Sequence, residues 1–399
     1  MPEQSPFSPV QTDTAHVKAA DVERRGHRIE DSRIRWKRRL PWIALLPAGV
    51  LLMVVGGWFP RAVEVVYSNG IFPVIGQSLG LITGWVPFSL GEMLVLAACG
   101  WIFWRIGRAI AKVVNHSRSV RNTLKHMAVN AVAVASTVYF AFVIVWGLNY
   151  QRQSLAEFAG YDTSPATVKE LEDTANALIL RANKLRSKAL ENDSGVMTLR
   201  VEQSELFERV AEGYVEVAKA IEQLEGRYGK PKGVLFSPLM SYLGISGIYF
   251  PFTGEANINT TQPDCMLAFT ACHEMAHQRG IGREDEANFL GYLACVKNKD
   301  SDIAYSGMMM AARYALIALA ETDMAAFKRV RANVSEGVLR DFAAIRAWQE
   351  RYETKIAEVS SAVNNVYLQA QGESDGVKSY GRMVDLLIAE HRSDMASRK

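Results

Sequence analysis

Cysteine and histidine are both scarce in this chain of 399 residues, which holds four cysteines and seven histidines. Four cysteines are too few for a fold that depends on a disulfide framework. The formal net charge is only +3, so the composition predicts no nucleic acid or other polyanion as a partner. The glycines between residues 233 and 259 are not followed by the Lys-Ser/Thr pair of a phosphate-binding loop, and no internal repeat is present. Disulfide scaffolds, repeat proteins and P-loop enzymes are therefore excluded.

Apolar residues, by contrast, make up 49% of the chain and concentrate in its first 150 residues. Three runs there are long and apolar enough to cross a bilayer, and the first carries a tryptophan near each end as an interfacial anchor. We predict three transmembrane helices at about residues 42–59, 88–104 and 127–148. Glu92 lies near the start of the second, where a capping or interfacial role is commoner than that of a functional intramembrane acid.

The stretch between residues 65 and 87 is also uncharged, but glycines and prolines punctuate it. We predict an interfacial or re-entrant segment there in preference to a fourth span. Basic residues cluster at 24–39 and 105–125, and such clusters mark the cytoplasmic side of a membrane. Three spans place both clusters inside, whereas four would separate them. The chain is therefore predicted to be a multi-pass protein of the cytoplasmic membrane.

This topology divides the chain into three parts. Residues 1–40 are predicted to be a disordered basic cytoplasmic tail, because polar and basic residues dominate them. Residues 41–148 form the membrane region. Residues 149–399 form an extracytoplasmic domain, in which two long segments of helical periodicity precede a short region rich in glycine, aromatic and β-branched residues.

The sequence Cys272-His273-Glu274-Met275-Ala276-His277 contains the pattern H-E-x-x-H. On a helix, histidines four residues apart project from one face at a spacing that holds one metal ion, and the intervening glutamate reaches a metal-activated water as a general base. A chance occurrence in this chain has odds on the order of one in a hundred, so the flanking residues decide. Helix formers precede the pattern, Gly280 follows it as a stop, and a second helix with acidic residues in its first turn begins after Arg283. We therefore predict a Zn²⁺ site.

A catalytic zinc site uses three protein ligands and one open position. Outside the pattern, the predicted extracytoplasmic domain contains one further histidine, His391, close to the end of the chain. A carboxylate is therefore expected, and Glu284 shares a helical face with small residues that allow close packing on the first helix. We predict His273, His277 and Glu284 as ligands, with Glu286 as the alternative and Asn288 as a hydrogen-bonding support.

Three further expectations concern the surroundings of this site. A strand beginning at Gly247 is predicted to run along the cleft, and its continuation from Phe250 to Asn259 is predicted to supply the edge that binds an extended peptide by β-augmentation. Tyr380 is a candidate donor to the oxyanion of a tetrahedral intermediate, although packing is the commoner role of a lone tyrosine. A disulfide between Cys265 and Cys295 is a weaker hypothesis. Residues that follow the strand are candidates for substrate contact, although turn formation is their commoner role: Glu255, Asn257 and Asn259.

The pattern Glu-x-x-Ala-Asn after an H-E-x-x-H helix resembles the Glu-zincin metallopeptidases. That resemblance implies His273, His277 and Glu284 as zinc ligands and Glu274 as the base. The spacer of six residues between His277 and Glu284 is shorter than in most Glu-zincins. Gly280 lies where the metzincins have their turn glycine, but Arg283 lies at their third-histidine position.

From about residue 41 the chain also resembles a bacterial membrane family catalogued as domain of unknown function 3810. The resemblance rests on five stretches of sequence: Pro87-Phe-Ser-Leu-Gly-Glu92, Trp146-Gly-Leu-Asn-Tyr150, Pro251-Phe-Thr-Gly-Glu-Ala-Asn257, Cys272–Asn288 and Ser379-Tyr-Gly381.

The sequence thus predicts a mostly α fold, with three transmembrane helices followed by a largely helical zincin-like domain with a small strand region. The expected function is that of a membrane-anchored zinc-dependent peptidase, whose partners are the lipid bilayer and a peptide or protein substrate. A non-catalytic membrane scaffold with a structural zinc hairpin is one alternative, although a structural site needs no base such as Glu274. A zinc hydrolase of a non-peptide envelope component is another. The oligomeric state is left open.

Overall fold

The computed structural model describes residues 38–115, 119–371 and 382–397. The predictions for the first 37 residues and for Tyr380 therefore concern residues outside the described part. The described chain is mostly helical, with a few short strands, as predicted. The described residues divide into two compact units, of which one comprises those up to Val50 and those between Gly107 and Ala141, and the other comprises Leu51–Ile106 and those from Phe142 onwards.

The elements of the described residues are numbered here in chain order. The first four helices are α1 (Leu40–Trp58), α2 (Pro60–Gly84), α3 (Leu90–Val114) and α4 (Val120–Val145). The next elements are α5 (Leu155–Ala159), α6 (Val168–Arg186), β1 (Leu190–Glu191), β2 (Met197–Thr198), α7 (Gln203–Arg209), α8 (Ala211–Ala218), β3 (Lys232–Gly233), α9 (Ser237–Tyr242), β4 (Gly247–Phe250) and β5 (Glu255–Ile258). The last are α10 (Asp264–Gln278), α11 (Glu284–Lys297), α12 (Ser301–Thr322), α13 (Met324–Arg331), α14 (Glu336–Arg351), α15 (Lys355–Ala370) and α16 (Met383–Ser397).

Five of the described helices are long and apolar enough to cross a membrane, namely α1, α2, α3, α4 and α12. The helices α1, α3 and α4 cover the three predicted spans. In α12, 67% of the most apolar window is buried, so this helix belongs to the core of the second unit. The remaining helices indicate a membrane protein.

The glycines and prolines between residues 65 and 87 do not interrupt the chain as the sequence suggested, because α2 is continuous from Pro60 to Gly84. Its stretch Val63–Ile71 is π-helical, and Pro73 lies in the first turn of the α-helical part that follows, where a missing N–H is tolerated. Gly80 serves a close approach between backbones, since a Cβ atom there would lie 2.8 Å from the backbone nitrogen of Gly229. The glycines are thus contact residues of the helix, and they do not break it.

The core of the second unit is built around α10, which is buried along its whole length. The helices α11 and α12 pack against it, α6 packs on α12, and a three-stranded sheet of order β3-β5-β4 lies against its other side. Strand β5 pairs in parallel with β3 and antiparallel with β4. The prediction that residues 250–259 supply a free edge is therefore wrong for β5, which is the central strand, and β4 is the edge strand next to it. A second sheet consists of the antiparallel pair β1 and β2.

The four cysteines are all free thiols in this structure, so the hypothesis of a Cys265–Cys295 disulfide is not supported. The thiol of Cys295 instead shares a hydrogen bond with that of Cys272. Cys265, Cys272 and Cys295 are all buried and contribute to the core as small apolar side chains.

Candidate metal centre

The pattern H-E-x-x-H lies on helix α10, as predicted, and one turn of that helix brings the two histidines together. The Nε2 atoms of His273 and His277 lie 3.1 Å apart, and their rings are close to perpendicular, with an interplanar angle of 85°. Both side chains therefore direct a ring nitrogen towards one point.

Glu284, the first residue of α11, completes this cluster. Its Oε2 atom lies 3.2 Å from Nε2 of His273 and 3.6 Å from Nε2 of His277. The approach of α11 to α10 depends on Gly291, where a Cβ atom would lie 3.1 Å from the backbone nitrogen of His273. The structure thus brings the three predicted ligands together, with their ligand atoms all within 4.8 Å of one another.

Glu286, the alternative ligand, points elsewhere. One of its carboxylate oxygens accepts a hydrogen bond of 2.8 Å from the backbone N–H of Leu155 and lies 3.3 Å from the guanidinium of Arg283. Two residues along a helix correspond to a rotation of about 200°, so Glu284 and Glu286 cannot face the same point. Asn288 hydrogen-bonds Tyr314 of α12, and its role as a hydrogen-bonding support of a ligand stays a prediction.

The polar atoms of the cluster suit a divalent cation such as Zn²⁺. Nδ1 of His277 lies 2.7 Å from the carbonyl oxygen of Ile281, which fixes the ring and leaves Nε2 for a metal. Oε2 of Glu284 is buried and makes no hydrogen bond of good geometry despite its short distance from His273. Tetrahedral zinc, with bonds of about 2.0–2.2 Å, separates its ligand atoms by about 3.3 Å, close to the distances found here. The donor set therefore fits the ion that the sequence predicts.

The pKa values of His277 and Glu284 also favour a bound cation. Burial alone would lower the pKa of His277, but the Glu284 carboxylate reverses this effect and raises that pKa to about 9. Burial would raise the pKa of Glu284, but the two histidines hold it well below its usual range. The cluster thus favours a positive charge beside the Glu284 carboxylate, and a bound divalent cation would supply it in place of a proton.

Glu274 lies between this cluster and the edge strand β4. Burial raises the pKa of its carboxyl group, which suits a general base. The carboxylate accepts a hydrogen bond from the backbone N–H of Tyr249. A Cβ atom at Gly247 would lie only 2.6 Å from Oε1 of Glu274, so a residue without a side chain is needed there. The predicted strand therefore runs past the candidate base.

The residues after the strand that are candidates for substrate contact are buried, and two of them make structural hydrogen bonds. Glu255 is buried and accepts hydrogen bonds from the backbone N–H groups of Leu90 and Gly91, at 3.1 and 2.7 Å, and from Lys232 at 2.6 Å. The side-chain amide of Asn259 donates to the carbonyl oxygen of Ile245 at 2.9 Å. Asn257 is buried in the central strand β5. These residues hold the loops around β4 in place.

The family described as "Protein of unknown function (DUF3810)" matches residues 67–388, which is most of the chain. The chain belongs to this family. Comparison with curated proteins and with solved structures finds no match. Since the description of the family names no activity, the function has to be inferred from the site.

The DUF3810 segment includes an aromatic cluster around the metal centre that the sequence reasoning did not identify as functional. The indole N–H of Trp146 donates to the carbonyl oxygen of His277 at 2.9 Å, and its ring packs against the rings of His277, Tyr249 and Tyr150. The hydroxyl of Tyr150 donates to that of Tyr367 at 3.2 Å. Burial and the Glu284 carboxylate raise the pKa of Tyr367 to about 12, so its hydroxyl keeps its proton. With Tyr380 outside the described residues, Tyr367 is the described candidate for the oxyanion donor.

A buried ion pair lies behind the metal centre and includes Glu64, just upstream of the DUF3810 segment. The guanidinium of Arg152 binds both carboxylate oxygens of Glu64, at 2.6 and 2.8 Å, and donates to the carbonyl oxygen of Gly280 at 3.0 Å. One helical turn along α2, Ser68 donates to the side chain of Asn149 at 2.9 Å. This clamp, defined as Glu64, Ser68, Asn149, Arg152 and Gly280, fixes the turn that follows His277.

Proposed function

We propose that the chain is a membrane-anchored, zinc-dependent peptidase whose catalytic domain lies outside the cytoplasmic membrane. The observation that carries this proposal is the convergence of His273, His277 and Glu284 on one point, with Glu274 beside it and an edge strand alongside. A structural zinc hairpin would need the three ligands, but it would not need a buried carboxylate of raised pKa at this position.

When bound, Zn²⁺ would polarise the scissile carbonyl group and lower the pKa of a water molecule. The Glu274 carboxylate would accept a proton as the water oxygen bonds to the carbonyl carbon. It would then deliver this proton to the leaving nitrogen as the C–N bond breaks. The Tyr367 hydroxyl, which keeps its proton, would donate a hydrogen bond to the oxyanion that forms meanwhile.

The register of β4 supports an extended peptide as the substrate. The backbone N–H of Asn259 donates to the carbonyl oxygen of Ser246, and pairing continues between Ile248 and Asn257. Because hydrogen-bonding direction alternates along a strand, the backbone groups of Gly247 and the carbonyl group of Tyr249 face the outer edge, where the N–H of Tyr249 donates to Glu274. A peptide added at this edge would lie beside Glu274, with its main chain held by the strand.

The contacts of α2 support three spans, at α1, α3 and α4. Near its start, Glu64 binds Arg152, and near its end, the hydroxyl of Thr83 donates to the carbonyl oxygen of Thr253 at 3.0 Å. A helix with both ends on one domain lies along that domain, whereas a crossing helix leaves it. The opposite face of α2 exposes apolar residues to a lipid surface: Val65, Val66, Val74 and Ile82.

The test of this proposal compares the wild-type protein with Glu274→Gln, purified with its membrane region in detergent. We expect about one zinc ion per chain in both proteins, as measured by elemental analysis. Hydrolysis of a peptide library, followed by mass spectrometry, should fall by about 10²–10⁴-fold in the variant, because the proton acceptor is lost.

Glu286→Gln is the matched control, since it changes a buried glutamate two residues from a ligand without touching the cluster. It should keep both zinc and activity. A folded wild-type protein without zinc would contradict the proposal at its first step. If Glu274→Gln behaved as the wild type in cells while His273→Ala was defective, the structural zinc hairpin would be favoured instead.

A further inference from the structure

Helix α15 is amphipathic, but its apolar face is exposed and its polar face is turned towards the rest of the protein. Its exposed stripe consists of β-branched residues at helical spacing, and two of them, Val359 and Val363, are 64% and 65% exposed. The half-buried side carries small and polar residues such as Ala357, Ser360 and Asn364. A helix on a water-facing surface normally shows the opposite arrangement, so the outer face of α15 is shaped for an apolar environment. The whole stripe is Ile356, Val359, Val363 and Val366.

A second exposed apolar surface adjoins the start of α15. Helix α9 and the loop before it expose four large side chains, namely Leu235, Phe236, Leu239 and Tyr242. The ring of Tyr242 packs edge-on against that of Tyr352, with centroids 5.1 Å apart, three residues before α15 begins. A Cβ atom at Gly244 would lie 3.9 Å from Cβ of Ala357. The two surfaces therefore form one apolar band, defined here as the exposed residues of α9, of the loop before it and of the α15 stripe.

The band is continuous with the ends of two predicted spans. The Glu92 carboxylate, in the first turn of α3, accepts hydrogen bonds from the backbone N–H groups of Leu235 and Phe236 at 3.1 and 2.7 Å. At the other end of the band, the ring of Tyr367 packs edge-on against that of Phe142 in the last turn of α4, with centroids 6.4 Å apart. One end of the band thus lies level with the start of α3, and the other with the end of α4. These are the levels at which a bilayer surface lies.

The band also borders the metal centre. Five residues after Tyr242, the chain enters β4 at Gly247, which touches the candidate base Glu274. At the far end, Tyr367 hydrogen-bonds Tyr150, and the Tyr150 ring packs on Trp146, whose indole binds the carbonyl of His277. Whatever covers the band therefore lies next to the edge strand β4 and to the aromatic cluster around the candidate metal centre.

We propose that the apolar band rests in the outer leaflet of the bilayer that holds the spans, and that the metal centre therefore takes polypeptide segments lying at the membrane surface. The second clause rests on the proposed peptidase function, whereas the first does not. A bilayer is favoured over a second copy of the chain as the partner of the band, because each end of the band adjoins the end of a predicted span. No charged residue interrupts the α15 stripe, as contact with acyl chains requires.

The first test measures the environment of α15 with a nitroxide spin label. Val363→Cys and Glu358→Cys are made in a Cys99→Ser background, because Cys99 is the exposed native thiol and the other three are buried. Glu358 is exposed on a different side of the same helix and is the matched control. The labelled full-length protein is reconstituted into vesicles of phosphatidylethanolamine and phosphatidylglycerol. Collisions with apolar O₂ and with water-soluble nickel chelate are then compared by paramagnetic resonance.

We expect O₂ collisions to dominate at position 363 and nickel collisions to dominate at position 358. Dominance of the nickel chelate at both positions would mean that the stripe faces water, which overturns the proposal. Protection of position 363 from both reagents would mean that protein covers the stripe, as in a dimer, and would overturn it as well. The background protein without an introduced cysteine should give no label signal.

The second test compares one fluorogenic peptide in two forms, free and attached to a phospholipid in the same vesicles. The wild-type protein should cleave the attached form faster. Val363→Asp should lose this preference while keeping its zinc and its activity on the free form, because a charge in the stripe opposes seating in the leaflet. Equal cleavage of both forms by the wild type would overturn the substrate assignment. If neither form were cleaved, the peptidase function and the substrate assignment would fail together, and the label result would stand.

Discussion

The metal centre and the clamp behind it both bury a glutamate, but the two carboxylates are in opposite situations. Glu64 binds the guanidinium of Arg152 through both oxygens, so its charge is matched within the protein. Glu284 faces two imidazoles, and its Oε2 atom makes no hydrogen bond of good geometry. A buried carboxylate whose two oxygens are both hydrogen-bonded holds a structure together, whereas a buried oxygen that accepts no hydrogen bond marks a place for a ligand. The comparison thus distinguishes the clamp, which positions the turn after His277, from the candidate metal centre, which is suited to bind a ligand.

The largest effect should come from removing the anion of the metal centre. Glu284→Gln keeps the shape of the side chain but leaves two neutral imidazoles to hold a dication. We expect zinc affinity to fall by more than the roughly 10–100-fold loss that is typical of an outer hydrogen-bonding partner, and hydrolysis to be lost with it. Competition with a fluorescent chelator measures the affinity. Unchanged affinity would show that Glu284 is not a ligand.

The next largest effect should come from breaking the clamp on one side. Arg152→Met leaves Glu64 buried and unpaired, which should lower the free energy of unfolding by about 3–5 kcal/mol. Replacing Glu64 by Met as well should restore part of that loss, because no charge then remains. Thermal unfolding in detergent measures both variants. In the exposed pair Arg346–Glu350, Arg346→Met should cost less than about 1 kcal/mol, and a loss as small for Arg152→Met would contradict the assigned role of the clamp.

A smaller and more selective effect is expected at the edge strand. Gly247→Ala places a methyl group within 2.6 Å of Oε1 of Glu274 and so displaces the candidate base. A misplacement of this kind can lower kcat by up to about 100-fold, while the zinc content should stay the same. Steady-state kinetics and elemental analysis of one preparation check both statements. Full activity would mean that the base does not act from the position seen here.

The smallest effect tests a third situation, in which a buried carboxyl group has a neutral partner. Burial raises the pKa of Glu390, which accepts a hydrogen bond from the hydroxyl of Tyr292. The unfolded chain then loses this proton at a lower pH than the folded chain, so Glu390 destabilises the fold increasingly as the pH rises. Glu390→Gln should therefore raise the melting temperature slightly at neutral pH and not below pH of about 4. Melting curves across this range provide the measurement, and a shift independent of pH would contradict the assignment.

The parts that the sequence predicts are those set by short separations along the chain. His273 and His277 lie one turn apart on one helix, and Glu284 begins the next, so helical periodicity and a short helical hairpin place them together. The clamp joins Glu64 to Arg152 across 88 residues, and no local pattern marks such a pair. The continuity of α2 is unexpected from the sequence for a related reason. Glycines such as Gly80 resemble helix breaks, and only the structure shows the backbone of Gly229 packed against Gly80. In both cases the structure depends on contacts between residues far apart in the sequence, which no local pattern indicates.

The indole of Trp146 and the carboxylate of Glu64 have a consequence for how this protein can be handled. Both complete the surroundings of His277 and Gly280, yet both precede residue 149, at which the hydrophilic part of the chain begins. A shortened protein that starts there would expose the back of the metal helix and leave the Arg152 guanidinium without its counter-ion. The metal-binding half is therefore not a separable module, and a soluble fragment would be a different molecule from the one anchored in the membrane.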